Sequence, residues 1–207
     1  DFSYGTSDLC LEGVGTEQEI LKRFVSKWCE NPEPFLNYKN FAIPKVFKKG
    51  WRFSFPSSID QKDTAVFYES KQPFWRRKTK TAFIIIPHWN PFFWKYYLGT
   101  AAIRSFFLPV ATYMYFPECG SQQRIKNETQ YDVVGPNLGL TIKRFQQDVL
   151  NIQRFGAHLK DMGYESVGIW GYSIGSPRAL GASLFSNIFD FVIMNFMRLL
   201  SFYISVY

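Results

Sequence analysis

The stretch Gly168-Ile169-Trp170-Gly171-Tyr172-Ser173-Ile174-Gly175-Ser176-Pro177-Arg178-Ala179 decides how the rest of the chain is read. Its apolar start predicts a strand over 167–170. Pro177 to Ser186 predicts a helix, with proline in the first turn, where its missing N–H is tolerated. Between them, Gly171-Tyr172-Ser173-Ile174-Gly175 has the form G-x-S-x-G. A turn this tight brings the residues two before and two after the serine together, so neither has room for a side chain. Ser173 is therefore expected in strained backbone with its hydroxyl pushed above a sheet. The helix start then sets the Ile174 N–H and the positive end of the helix dipole beside any negative charge that develops there.

Working outward, Phe191 to Asn195 reads as the next strand. Residues 140–162 carry Ile142, Phe145, Val149, Ile152, Phe155, Leu159 and Met162 at three- and four-residue steps, the spacing of a long amphipathic helix. Gly163 fits the left-handed position that closes it. Ala82-Phe83-Ile84-Ile85-Ile86 is an unbroken apolar run, as in a strand buried on both faces of a parallel sheet. Residues 51–55, 65–69 and 110–116 are further strand candidates. Thr16 to Glu30 reads as a helix with Thr16 and Glu19 as a capping box, ended by Pro32 and Pro34. Residues 31–50 read as irregular. The chain thus divides into a helical and irregular extension, 1–50, and an α/β domain, 51–207. Strand, helix, strand, helix, strand in that order implies a mostly parallel sheet with right-handed crossovers and helices on both faces.

With the strand, the serine turn and the helix in place, residues 81–196 resemble the α/β-hydrolase superfamily. The resemblance implies that Ser173 is the nucleophile and that the Ile174 N–H is one oxyanion donor. In that family a loop after an earlier strand, commonly His-Gly, supplies the second donor. Pro87-His88-Trp89-Asn90 stands there in this chain, which implies the N–H of Trp89 or Asn90 as donor and His88 as the residue that orders the loop. Pro91 has no N–H to offer. The activity implied is hydrolysis of a carboxylic ester, thioester or amide, with a small acyl substrate and no metal or cofactor.

A serine nucleophile needs a base, and the chain holds two histidines, His88 and His158. His158 is near the end of a helix antiparallel to strand 167–170, which puts it at the strand's start, on the order of 15 Å from Ser173. A histidine is favoured at such a helix end by the dipole. His88 belongs to the oxyanion loop. The family order is nucleophile, acid, histidine, so the acid and base are expected beyond Tyr207, in a domain truncated here. Asp190 precedes its strand and stands at the wrong edge to be the acid. On this reading strand 191–195 becomes an exposed apolar edge. The alternative is a non-catalytic α/β-hydrolase-like module that binds a ligand or partner.

Composition narrows the remaining classes. A net charge of +7 comes from 24 basic and 17 acidic residues spread along the chain, with no nucleic-acid motif beside them. The three cysteines form no CxxC pair, which argues against a disulfide framework or zinc site and leans towards a reducing, cytoplasmic setting. No uncharged run reaches the ~18 residues of a membrane span. Aromatic residues make up 19% of the chain, pointing to an aromatic core or pocket. Phe92 to Tyr97 could line an acyl site, and the long polar segment 117–139 could wall it.

Overall fold

The computed structural model describes residues 4, 6, 7, 9, 11–42, 45–59, 63–70, 79–87, 110–115, 136–197 and 200–205. Among them, eight strands form one sheet: β1 (Phe47–Lys49), β2 (Arg52–Pro56), β3 (Thr64–Ser70), β4 (Thr81–Ile86), β5 (Ala111–Tyr115), β6 (Ser166–Tyr172), β7 (Phe191–Met197) and β8 (Leu200–Ser205). Their order across the sheet is β1-β2-β3-β5-β4-β6-β7-β8. The four central neighbours β5, β4, β6 and β7 are mutually parallel, and β2 runs their way too. β1, β3 and β8 run opposite. The mixed, mostly parallel sheet with its flanking helices has the α/β-hydrolase architecture. β6 lies between β4 and β7, well inside the sheet, as the apolar runs on both sides of the serine turn require.

Four α-helices are described: α1 (Glu17–Glu30), α2 (Glu33–Leu36), α3 (Leu138–Asp161) and α4 (Gly175–Leu184). The Thr16 capping box forms as its spacing predicts, with Glu19 N–H donating to Thr16 Oγ1 and Thr16 N–H to Glu19 Oε2. Gly163 closes α3 at φ 93°, and the Tyr164 N–H returns to the Leu159 carbonyl. Phe155 of α3 is fully buried on the sheet, stacked 3.9 Å from Phe67 and edge-on to Phe53 and Tyr113. On the opposite face Ile85 and Met114 are buried as well.

Two sequence expectations need correction. Residues 31–50 are not wholly irregular: they hold α2, a 3-10 turn at Tyr38–Asn40, and β1. Pro32 and Pro34 end α1 but also open α2, Pro32 as its N-cap and Pro34 in its first turn, where proline favours a helix start. The segment is then tied to α3 by side chains: Gln146 donates to the Phe35 carbonyl, Gln153 accepts from the Tyr38 N–H, and Arg154 donates to the Ala42 carbonyl. The second correction concerns the tail. Strand 191–195 is not an edge, because β8 turns back after two residues and pairs antiparallel with β7 from Met197↔Leu200 to Phe191↔Ser205. The apolar, aromatic run Leu200 to Ile204 suits a strand, and it takes up the hydrogen-bonding groups that β7 would otherwise leave free on that side.

Candidate functional site

β6 delivers Tyr172 at the carboxyl edge of the sheet, and α4 begins at Gly175, so Ser173 and Ile174 alone make the turn. Among the described residues Ser173 is the one non-glycine with positive φ, 51°. A left-handed residue with a side chain costs about 1–2 kcal/mol, and backbone bonds hold it there. Its N–H donates to the Asn195 carbonyl at 2.6 Å, and its carbonyl accepts from the Ser176 N–H at 2.9 Å. The Ser176 hydroxyl donates to the Gly171 carbonyl at 2.9 Å.

The two glycines are required sterically. A Cβ on Gly171 would stand 2.5 Å from the Gly175 carbonyl oxygen, and one on Gly175 would stand 2.4 Å from the Ile86 carbonyl oxygen. Both obstacles are backbone, which cannot swing aside. The Gly175 contact also fixes the turn against the end of β4, where Ile86 pairs with Gly171. Ser173 is left exposed, and among the described residues its hydroxyl has no hydrogen-bond partner.

His88, Trp89 and Asn90 lie outside the described residues, as do Phe92 to Tyr97 and 117–135. β4 is the parallel neighbour of β6, so its carboxyl end at Ile86 stands at the same edge as Ser173.

His158 lies at the far end. Its ring packs 6.0 Å from Phe53 and 6.0 Å from Phe155. Phe53 stands near the start of β2, which runs in the same direction as β6. Burial against these rings pushes the imidazole pKa down, helped by Lys48 and opposed by Asp161. Desolvation is the largest of these influences on its charge. Asp190 is committed elsewhere: its Oδ2 accepts from the Val167 N–H and from Lys160 Nζ, both at 2.7 Å, at the start of β6. Among the described residues no histidine and carboxylate assemble with Ser173, and no group of three or more His, Cys, Asp or Glu could hold a metal. No described helix is long and apolar enough to cross a membrane.

One constellation escaped the sequence reading. Beneath the turn, Arg178 Nε donates to Asp148 Oδ2 at 2.5 Å, and Arg178 Nη1 donates to the Ile174 carbonyl at 2.9 Å. Asp148 Oδ1 accepts from the Tyr115 hydroxyl at 2.7 Å, and Asn151 Nδ2 donates to that hydroxyl at 3.3 Å. Arg178 and Asp148 are 3% and 1% exposed, so both charges are out of water. Burial pushes the Asp148 carboxyl up against the pull of Arg178, Tyr115 and Arg144. A signal existed: Asp148 falls three residues after Phe145 and four before Ile152, a charge on the apolar stripe of α3.

No family model matches the sequence, and no curated protein matches it. Among solved structures, the chain is similar to a protein of Bacteroides fragilis NCTC 9343 proposed to be an acetyl xylan esterase, at 12% identity and a TM-score of 0.55, over 88% of this chain and 55% of that one. It is also similar to acetyl xylan esterase 1 of Thermoanaerobacterium sp. JW/SL YS485, at 13% identity and a TM-score of 0.48, over 83% of this chain and 57% of that one. The likeness is one of fold alone. The chain spans little more than half the length of either structure.

Proposed function

We propose that this chain is an α/β-hydrolase-like binding module that holds a small ligand bearing a carbonyl or carboxylate over Ser173, without turning it over. The observation that carries this reading is where the acid–base groups are spent. His158 is packed between Phe53 and Phe155 at the far end of the sheet, and Asp190 is occupied by Val167 and Lys160. At the turn itself, the start of α4 offers the Ile174 N–H and a positive dipole end to a ligand oxygen.

The left-handed Ser173 between two sterically obligatory glycines favours a second reading. In it the chain is a serine hydrolase for an ester, thioester or amide. Ser173 attacks the carbonyl, and the Ile174 N–H with that of Trp89 or Asn90 holds the oxyanion. His88 orders the loop, and an acid and histidine outside the described constellation complete the machinery.

Titrating the 15N-labelled chain with butyrate, and assaying p-nitrophenyl butyrate, separates the two. The module reading expects saturable shifts of the Ser173 and Ile174 amides, with ester turnover no faster than that of Ser173→Ala. No shift at the turn would overturn it. Turnover abolished by Ser173→Ala would establish the hydrolase instead, and parallel loss in His88→Ala would show that the hydrolase needs His88, as base or as the residue that orders the loop. Losing a triad member leaves about 10³–10⁴-fold over water, so the comparison needs the serine variant as its background.

A further inference from the structure

We propose that the buried Asp148–Arg178 pair is a clamp that positions the Ser173–Ile174 turn for its ligand; as a statement about ligand binding this rests on the reading above, though the clamp itself does not. A residue held left-handed persists only where its surroundings over-determine it. Two of the bonds around Ser173 are local, from the Ser176 N–H and the Ser176 hydroxyl, and a third, from the Ser173 N–H to the Asn195 carbonyl, ties it to β7. The fourth, Arg178 to the Ile174 carbonyl, is the one whose donor is itself anchored to distant elements. It runs from β5 through the Tyr115 hydroxyl, to α3 through Asp148, and on to α4 through Arg178. The turn's second peptide is thereby referenced to the sheet and to the long helix rather than to its own loop.

Stability alone does not account for the pair. Taking two charges out of water is costly, and a buried ion pair can often be replaced by apolar side chains of similar size with no loss. Around Arg178 the surroundings would suit such a replacement, since it sits in the Gly, Ser, Pro and Ala run that opens α4 with its guanidinium 5.8 Å from the Phe145 ring; at Asp148 the replacement would also take the acceptor from the Tyr115 hydroxyl. An apolar side chain could fill that space but could not donate to the Ile174 carbonyl. Neither Asp148 nor Arg178 faces the ligand, so both are positioning residues.

The test is amide hydrogen exchange on the ligand-free protein, with the double variant Asp148→Leu/Arg178→Met, which removes both charges together. The Ser173 and Ser176 amides report the turn, and the amides of the β4–β6 ladder report the fold. A hydrogen bond from a charged donor lost at the turn should speed exchange of the two turn amides by about tenfold or more, with the ladder unchanged and melting still cooperative. Butyrate affinity should fall with it. If the turn stays as protected as in the unaltered chain, or if turn and ladder loosen together, the pair serves only stability and the inference is wrong. Should the double variant not fold, Arg178→Lys carries the same measurement, since lysine keeps the charge opposite Asp148 but cannot make both bonds. Absence of butyrate binding to the unaltered chain would overturn the binding reading, while the exchange data would still decide the clamp.

Discussion

The two ends of the central strands are built on opposite terms. At the amino ends, charges meet partners: Lys80 with Glu165, Lys160 with Asp190, and Asp190 again with the Val167 N–H. His158 lies there between two phenylalanine rings. At the carboxyl ends, Ser173 is exposed, left-handed and without a hydroxyl partner among the described residues. Satisfied polar groups and filled space make the amino end a source of stability. Strain and an unspent hydroxyl at the other end are what a fold tolerates where it meets a ligand.

The largest break in that contrast should come from Gly175→Ala. The added Cβ would stand 2.4 Å from the Ile86 carbonyl oxygen and 2.9 Å from Ile86 Cγ2, so β4 and the turn must part. A loss of about 1–3 kcal/mol in chemical denaturation is expected. An unchanged midpoint would mean that the turn yields freely and that its geometry is not enforced by β4.

A smaller effect separates Ser173→Ala from Ser173→Gly. Alanine keeps the left-handed cost of about 1–2 kcal/mol, while glycine escapes it but adds roughly 0.5–1 kcal/mol of unfolded-state entropy. The glycine variant should therefore be the more stable by about 0.5–1 kcal/mol. Equal midpoints, or the reverse order, would show that Ser173 is not strained.

The smallest effect lies at the amino end and depends on pH. Burial holds the His158 pKa below its ordinary value near 6.5. The unfolded chain then binds the proton more readily, so stability is full above about 6.5 and is lost as pH falls towards the folded-state value. His158→Phe keeps a ring against Phe53 and Phe155 and removes that proton. Its stability should fall less than that of the unaltered chain between pH 7 and pH 5. Identical pH slopes would show that His158 is as free to charge in the folded chain as in the unfolded one.

Much of the frame was legible because it rests on local rules. The Thr16 capping box, the Gly163 stop and the run Thr81 to Ile86 each depend on neighbours in sequence, and each stands where those rules put it. β8 was missed because pairing is non-local: nothing in Leu200 to Ser205 names β7 as its partner. α2 was missed because proline carries two meanings, ending one helix and beginning the next. The polar face of α3 was missed because an amphipathic reading assigns Gln146, Gln153 and Arg154 to solvent, whereas the extension covers them.

By itself, the sequence determined the serine turn. G-x-S-x-G between an apolar strand and a proline-opened helix leaves little other geometry, because two missing side chains and one tight reversal are properties of adjacent residues. It also determined that Asp190 stands at the wrong edge, since a residue just before a strand cannot reach the strand's far end. Only the tertiary structure decided what holds the turn. Asp148 lies thirty positions before Arg178 and Tyr115 a further thirty-three before Asp148. A buried charge is tolerable only where the fold brings it a partner. That meeting of α3, α4 and β5 depends on packing, which no local pattern encodes.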